Sequence, residues 1–186
     1  MPILKYESDI YPQQLLTDES LFRSETRDWW CLYTRSRREK ELARKLQAKS
    51  IPHYLPVVPK RYRSPNGRLR TSYIPLFANY VFLLGTEEER MEALTTNDIS
   101  KCHLISEREQ FVKDLLQIHG LVLGNEPLTP EARLLPGDPV RVRTGPFRGY
   151  EGVVIRREGK TRLLLALHFL QKGVSMQLDE GVLEPL

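Results

Sequence analysis

Twelve lysines and arginines fall between residues 35 and 70, at Arg35, Arg37, Arg38, Lys40, Arg44, Lys45, Lys49, Lys60, Arg61, Arg63, Arg68 and Arg70, against Glu39 and Glu41 alone. That segment carries a formal charge of +10 in a chain whose total is +4, so the remainder is −6. Cations concentrated this way suit ion pairing with phosphate; the plainer reading is a solvated helix face. Asn66-Gly67 predicts a hairpin from Lys60 to Tyr73, with both turn residues at positive φ. Its arms hold Arg61, Arg63, Arg68 and Arg70, with Tyr62 and Tyr73 between them. Such a hairpin can track a nucleic-acid backbone and stack on a base, or simply guard a sheet edge with charge. Residues that usually do catalysis form no pattern. His53, His103, His119 and His168 stand outside any nucleophile or carboxylate arrangement, and no phosphate-binding glycine loop follows a strand. Cys31 and Cys102 are isolated, without a CxxC pair. No enzyme activity, cofactor or metal is expected, and a reducing cytoplasm fits the free thiols.

The 186 residues allow one domain or two, and 40% hydrophobic with 28% charged residues describes a soluble globular chain. No stretch approaches the roughly 18 apolar residues of a membrane span. Lys5, Glu7 and Asp9 near the start argue against a secretory signal.

Residues 1–27 read as an irregular extension packing on the first domain. Trp29 to Thr34 suits a half-buried strand. Ser36 with Glu39, Thr86 with Glu89, and Ser106 with Glu109 each have the spacing of a helix-opening capping box. The first helix ends near Ser50, before Ile51-Pro52, and His53 to Val58 returns as a strand. Pro75 to Leu84 is the most apolar strand, with Tyr80 and Phe82 on one face. A short strand from Cys102 to Ile105 and a helix ending near Gly120 complete a domain over 28–120. Residues 121–135, with Gly124, Asn125, Pro127 and Pro130, read as a linker. Aromatics on such a sheet, Tyr33, Tyr80 and Phe82 among them, are usually core.

From Gly137 to Arg157 the pattern changes. Val140 and Val142 alternate with Arg141 and Arg143, Gly145-Pro146 predicts a turn, Gly149 is free to take positive φ, and Gly152 leads into Val153-Val154-Ile155. Leu163, Leu165, Leu167 and Phe169 then alternate along another strand, Val174 to Leu178 follows, and Val182-Leu183 closes a small barrel over 136–186. A second period runs through the same residues: Leu163, Leu167, Leu170 and Val174 also form a helical stripe, interrupted by Gly173.

Gly137-Asp138, the alternating valines, Gly145-Pro146-Phe147, Gly149 and Gly152 together resemble the KOW motif. Placed after an aromatic strand, a basic helix, a charged hairpin and the phrase Pro75-Leu76-Phe77-Ala78-Asn79-Tyr80, that motif makes residues 28–186 resemble the NusG family of transcription elongation factors. The resemblance implies an α+β protein: an N-terminal α/β sandwich with a mainly antiparallel sheet (the NGN domain), a linker, and an SH3-like five-stranded KOW barrel. It implies that Tyr33, Tyr80 and Phe82 form an apolar site for the clamp helices of RNA polymerase. Arg35, Arg37 and Arg38, with the hairpin arginines, would then meet DNA in the elongation complex. The KOW domain would recruit a ribosomal protein or a termination factor, and the protein would work as a cytoplasmic monomer without a membrane. General members carry Pro-Gly-Tyr where this chain has Ala78-Asn79-Tyr80. That departure is closer to specialised RfaH-like paralogues, whose C-terminal domain can also pack as helices. The rival function is a ribosome- or RNA-associated KOW protein, for which eight Lys or Arg against six Asp or Glu over 137–186 is a weak excess.

Overall fold

The computed structural model describes residues 8–124, 126–133 and 135–186; the apolar start of the N-terminal extension and Asn125 lie outside them. The chain forms two compact units, Met1–Ser106 and Glu107–Leu186.

In the first unit, β2 (Asp28–Thr34) is the strand its aromatic residues predict. It lies between β6 (Tyr80–Gly85) and β7 (Ile99–Leu104) in a five-stranded sheet ordered β1-β3-β6-β2-β7, antiparallel throughout. The remaining strands are β1 (Ile10–Tyr11) and β3 (His53–Tyr54). Leu32, Val81 and Leu83 face α2 (Glu39–Ala48) and α3 (Glu87–Leu94), and pack with Leu42, Ala43, Leu46 and Ala93. Period two puts Trp29, Cys31, Tyr33, Tyr80, Phe82 and Leu84 on the opposite face.

Four expectations are corrected here. From Ser8 onward the extension is not irregular throughout: β1 extends the sheet, a short α1 (Glu19–Phe22) follows, and Leu15, Leu16 and Phe22 are buried. The apolar run from Pro75 to Leu84 is two strands, because the chain bends at residues 76–79. The strand from His53 to Val58 also breaks, at Leu55-Pro56, into β3 and β4 (Val57–Arg63). Of three capping boxes only Thr86–Glu89 forms, with both reciprocal bonds. In α2 the cap is Arg38, without a side-chain bond, and Glu39 is turned to another use; the helix that follows Ser106 is capped by Glu107.

The second unit begins with α4 (Arg108–Leu123), which runs past Gly120 and packs on β11 (Lys160–Leu167) and the short 3-10 turn His168–Leu170. The fifteen-residue linker contains a strand, β8 (Leu128–Glu131), paired with β12 (Lys172–Gln177). With β9 (Asp138–Val142), β10 (Glu151–Arg157) and β13 (Leu183–Pro185) these form an antiparallel sheet ordered β13-β9-β10-β11-β12-β8. All five expected strands are present, and β8 adds a sixth. The glycines act as expected in the KOW-like stretch: Gly149 sits at φ +87°, and a Cβ on Gly152 would lie 2.4 Å from the Leu164 carbonyl oxygen.

The leucine run in β11 has a physical cause. Leu163, Leu165 and Leu167 share one face with Met176 and Val174, all buried. Leu164 and Ala166 point the other way, into a cleft lined also by Gln110, Lys113, Asp114 and Gln117 of α4. Both faces are covered, so alternation gives way to a near-continuous apolar strand that also carries a helical period. Phe169 does not continue the strand: it leaves in the 3-10 turn, and its ring meets Phe111 of α4 at 6.5 Å.

Candidate protein- and nucleic-acid-binding surface

Tyr33, next to last in β2, lies opposite Tyr80, the first residue of β6. Their rings meet edge-on at 5.2 Å with an interplanar angle of 63°. Both are half-buried, and burial pushes the Tyr80 hydroxyl above its ordinary pKa. Phe82 differs. It is fully buried and packs edge-on against Phe77 at 6.5 Å. With no exposed surface it cannot touch a partner directly, unlike the two tyrosines with which the sequence grouped it.

A tight turn leads into Tyr80. Tyr80 N–H donates to the Phe77 carbonyl at 3.3 Å, and Asn79 sits at φ +69°. Positive φ at the third residue of a four-residue turn marks a type II turn, which glycine or asparagine fills. The family's Pro-Gly would suit the two central positions, and Ala78-Asn79 is the second-best solution to the same geometry.

Two residues after Tyr33 the chain leaves the sheet in the loop that carries Arg35, Arg37 and Arg38, all exposed. Arg35 N–H donates to the Asp98 carbonyl at 2.8 Å, which fixes the loop's origin. Arg38 lies 3.9 Å from the buried Asp98 carboxylate, which Lys45 holds at 2.7 Å. Among the described residues Arg35 and Arg37 have no ion-pair partner, so the sequence-predicted trio divides into two open cations and one shared with structure.

The hairpin of β4 and β5 (Leu69–Pro75) forms its own two-stranded sheet. Gly67 takes φ +74°, but Asn66 does not take positive φ; Pro65 instead occupies the second position of a turn closed by Gly67 N–H on the Ser64 carbonyl at 2.8 Å. Register divides the side chains. Arg61 and Arg63 share a face with Leu69, Thr71 and Tyr73; Lys60, Tyr62 and Arg70 occupy the other. No acidic residue occurs from Val57 to Pro75, and all four arginines are exposed.

Sequence reasoning missed Glu39, which it assigned to a capping box. Its carboxylate instead accepts from Asn79 N–H at 2.7 Å. The only local signal was asparagine, a residue tolerant of positive φ, just before the aromatic strand. Cys31 and Cys102 stand on opposite faces of adjacent strands, Cys31 beside His103 and Cys102 beside Leu32, and both are free thiols. Burial pushes the Cys31 thiol up to about 12. Among the described residues no group of three His, Cys, Asp or Glu side chains could hold a metal ion, and no helix is long and apolar enough to cross a membrane.

These features define a two-unit α+β protein whose first unit carries a tyrosine pair, a basic loop and a basic hairpin. The sequence profile of a family described as "Transcription termination factor nusG" matches residues 27–132, more than half of the chain. The chain belongs to the NusG family of transcription elongation factors. No curated protein matches it. Among solved structures, a crystal structure of the MjSpt4:Spt5 complex in conformation B is 17% identical, covering 85% of this chain and 96% of that one. Its TM-score of 0.27 is too low to support anything further.

Proposed function

We propose that the chain docks on the clamp helices of RNA polymerase through Tyr33 and Tyr80, and that docking suppresses pausing or modulates termination. The observation that carries this reading is the half-exposed, edge-on tyrosine pair in a member of this family, at the sheet end from which the basic loop departs. Aromatic rings around a shallow apolar site accept a partner helix and supply concentrated binding energy. Preferential binding to the closed clamp would disfavour the open, paused form, since a ligand shifts an equilibrium only by its differential affinity. Arg35 and Arg37, with Arg38 in a minor part, and Arg61, Arg63, Arg68 and Arg70 would meet upstream duplex or the exposed non-template strand. The second unit would recruit a ribosomal protein or a termination factor. The protein would act in the cytoplasm as a monomer.

The test pairs Tyr80 with the buried Phe82. Tyr80→Ala should cost on the order of 2 kcal/mol of polymerase affinity while cooperative unfolding persists. Phe82→Ala should cost about 3–5 kcal/mol of stability instead. Binding assays against core polymerase and against ribosomal subunits, beside denaturant titrations, read both. Capture of ribosomal subunits alone, or loss of cooperative unfolding in Tyr80→Ala, would reject the assignment.

A further inference from the structure

Glu39 is the first residue of α2, yet its side chain is buried, at 7% exposure. It does not cap its own helix. Its Oε1 accepts from the backbone N–H of Asn79, 2.7 Å away and forty residues on. The Asn79 carbonyl, in turn, accepts from Thr34 N–H at 2.8 Å. Both backbone polar groups of one residue are therefore tied to separate elements, the start of α2 and the end of β2. Asn79 holds φ +69°, a left-handed conformation that asparagine tolerates less readily than glycine, so the bonds that hold it in place matter. A carboxylate acceptor makes the stronger kind of hydrogen bond, and the N-terminus of a ten-residue helix favours the negative charge. The residue after Asn79 is Tyr80, whose ring rests on Tyr33.

We propose that Glu39 is a positioning residue: its carboxylate locks the Phe77–Tyr80 turn and so sets the Tyr33–Tyr80 pair for its partner. The binding half of this proposal rests on the polymerase reading above; the anchoring half does not.

The full chain tests it with Glu39→Ala, Glu39→Asp, Glu39→Gln and the pair Glu39→Ala/Asn79→Gly. Amide hydrogen exchange at residue 79 and affinity for core RNA polymerase are the readouts. Glu39→Ala should speed exchange at Asn79 and weaken polymerase binding, each by about tenfold or more, as loss of one charged hydrogen bond requires. Glu39→Asp keeps the charge but falls one methylene short, and should do the same in a folded chain should alanine fail to fold. Glu39→Gln retains an acceptor oxygen at the same reach and should restore both readouts to within about threefold of wild type. In the double variant glycine takes positive φ unaided, so polymerase affinity should recover although Glu39 is gone. Unchanged exchange at Asn79 in both Glu39→Ala and Glu39→Asp overturns the anchoring. Faster exchange with wild-type polymerase affinity overturns the positioning role. Wild-type affinity in Tyr80→Ala would instead remove the polymerase reading, and exchange at Asn79 would still decide the anchor.

Discussion

At the scale of residues, His53 links burial to acid sensitivity. The side chain has no exposure, and its Nδ1 lies 2.9 Å from the Ile51 carbonyl. A carbonyl only accepts, so Nδ1 carries the hydrogen and the buried Nε2, without a hydrogen-bond partner among the described residues, is bare. Burial holds the imidazole below its ordinary value of 6.5, against the opposite pull of the Ile51 carbonyl and the Asp9 carboxylate. The unfolded chain therefore takes up the proton first. The stabilisation from neutral His53 is complete above the unfolded value and is lost as pH falls through the folded one. Both tryptophans, Trp29 and Trp30, lie in the first unit, so their fluorescence reports that unit alone. Denaturant midpoints followed by tryptophan fluorescence should drop from about pH 7 to about pH 5 in the wild type, and less steeply in His53→Leu. Equal slopes would place the acid sensitivity in carboxylates elsewhere. No local pattern around His53 marks this, because a histidine's burial depends on strands and rings brought together from distant parts of the chain, here Tyr11 stacked at 6.2 Å.

Among the elements, the hairpin was the most legible. Turn chemistry is local, and Ser64-Pro65-Asn66-Gly67 specifies its own reversal. A free two-stranded ribbon is marginal in water; this one is rooted by Val57 and Val58, both buried, and its far end is solvent-exposed. Because its two faces carry different arginines, they can be tested apart. Arg61→Glu with Arg63→Glu alters one face, and Arg70→Glu the other. If one face meets nucleic acid, its reversal should weaken DNA crosslinking in an elongation complex and lower the salt slope by about one for each phosphate no longer neutralised, while the other leaves both unchanged. Tryptophan-detected stability should stay within about 0.5 kcal/mol in either case. Wild-type crosslinking in both would return the hairpin to a charged, protected edge. The capping boxes teach the converse. Thr86 and Glu89 close on each other, whereas the same spacing at Ser36 and Glu39 is overridden because Glu39 is used by a turn forty residues away.

For the whole molecule, the boundary between units falls after Ser106, so α4 groups with the C-terminal sheet. The helix and sheet are joined by polar contacts as well as by Phe111 on Phe169. Asp114, buried, accepts from His168 N–H at 2.9 Å and from Gln110 at 2.7 Å, with His168 Nδ1 at 2.8 Å. Glu151 takes Lys113 and Arg141, which hold its carboxyl below the usual range, and its backbone N–H donates to Gln117 at 2.8 Å. Strand β8 is held by a second network, in which Arg162 reaches Thr129 and Ser175, and Ser175 donates to Glu131. A fragment of residues 107–186 should therefore show both helix and strand by circular dichroism and unfold cooperatively. A fragment of residues 136–186 lacks α4 and β8 and uncovers Leu164, so it should unfold at lower denaturant or self-associate. Equal stability of the two fragments would show that α4 adds nothing to the sheet.

What the sequence determined by itself is what local chemistry can specify: the β2 and β6 periodicities, the presence of the hairpin, the Thr86 cap, the glycines of the KOW-like stretch, and the family those motifs jointly mark. Tertiary structure decided the rest. Tyr80 and Phe82 have the same period and the same face, yet one is half-exposed and the other buried, because burial depends on what covers a strand at each point along it. Glu39 became a turn anchor because folding brought Asn79 within 2.7 Å of it. Leu164 faces a helix from outside its own sheet, which is why one leucine run could be read with two periods: a strand covered on both faces has no polar side left to mark its repeat.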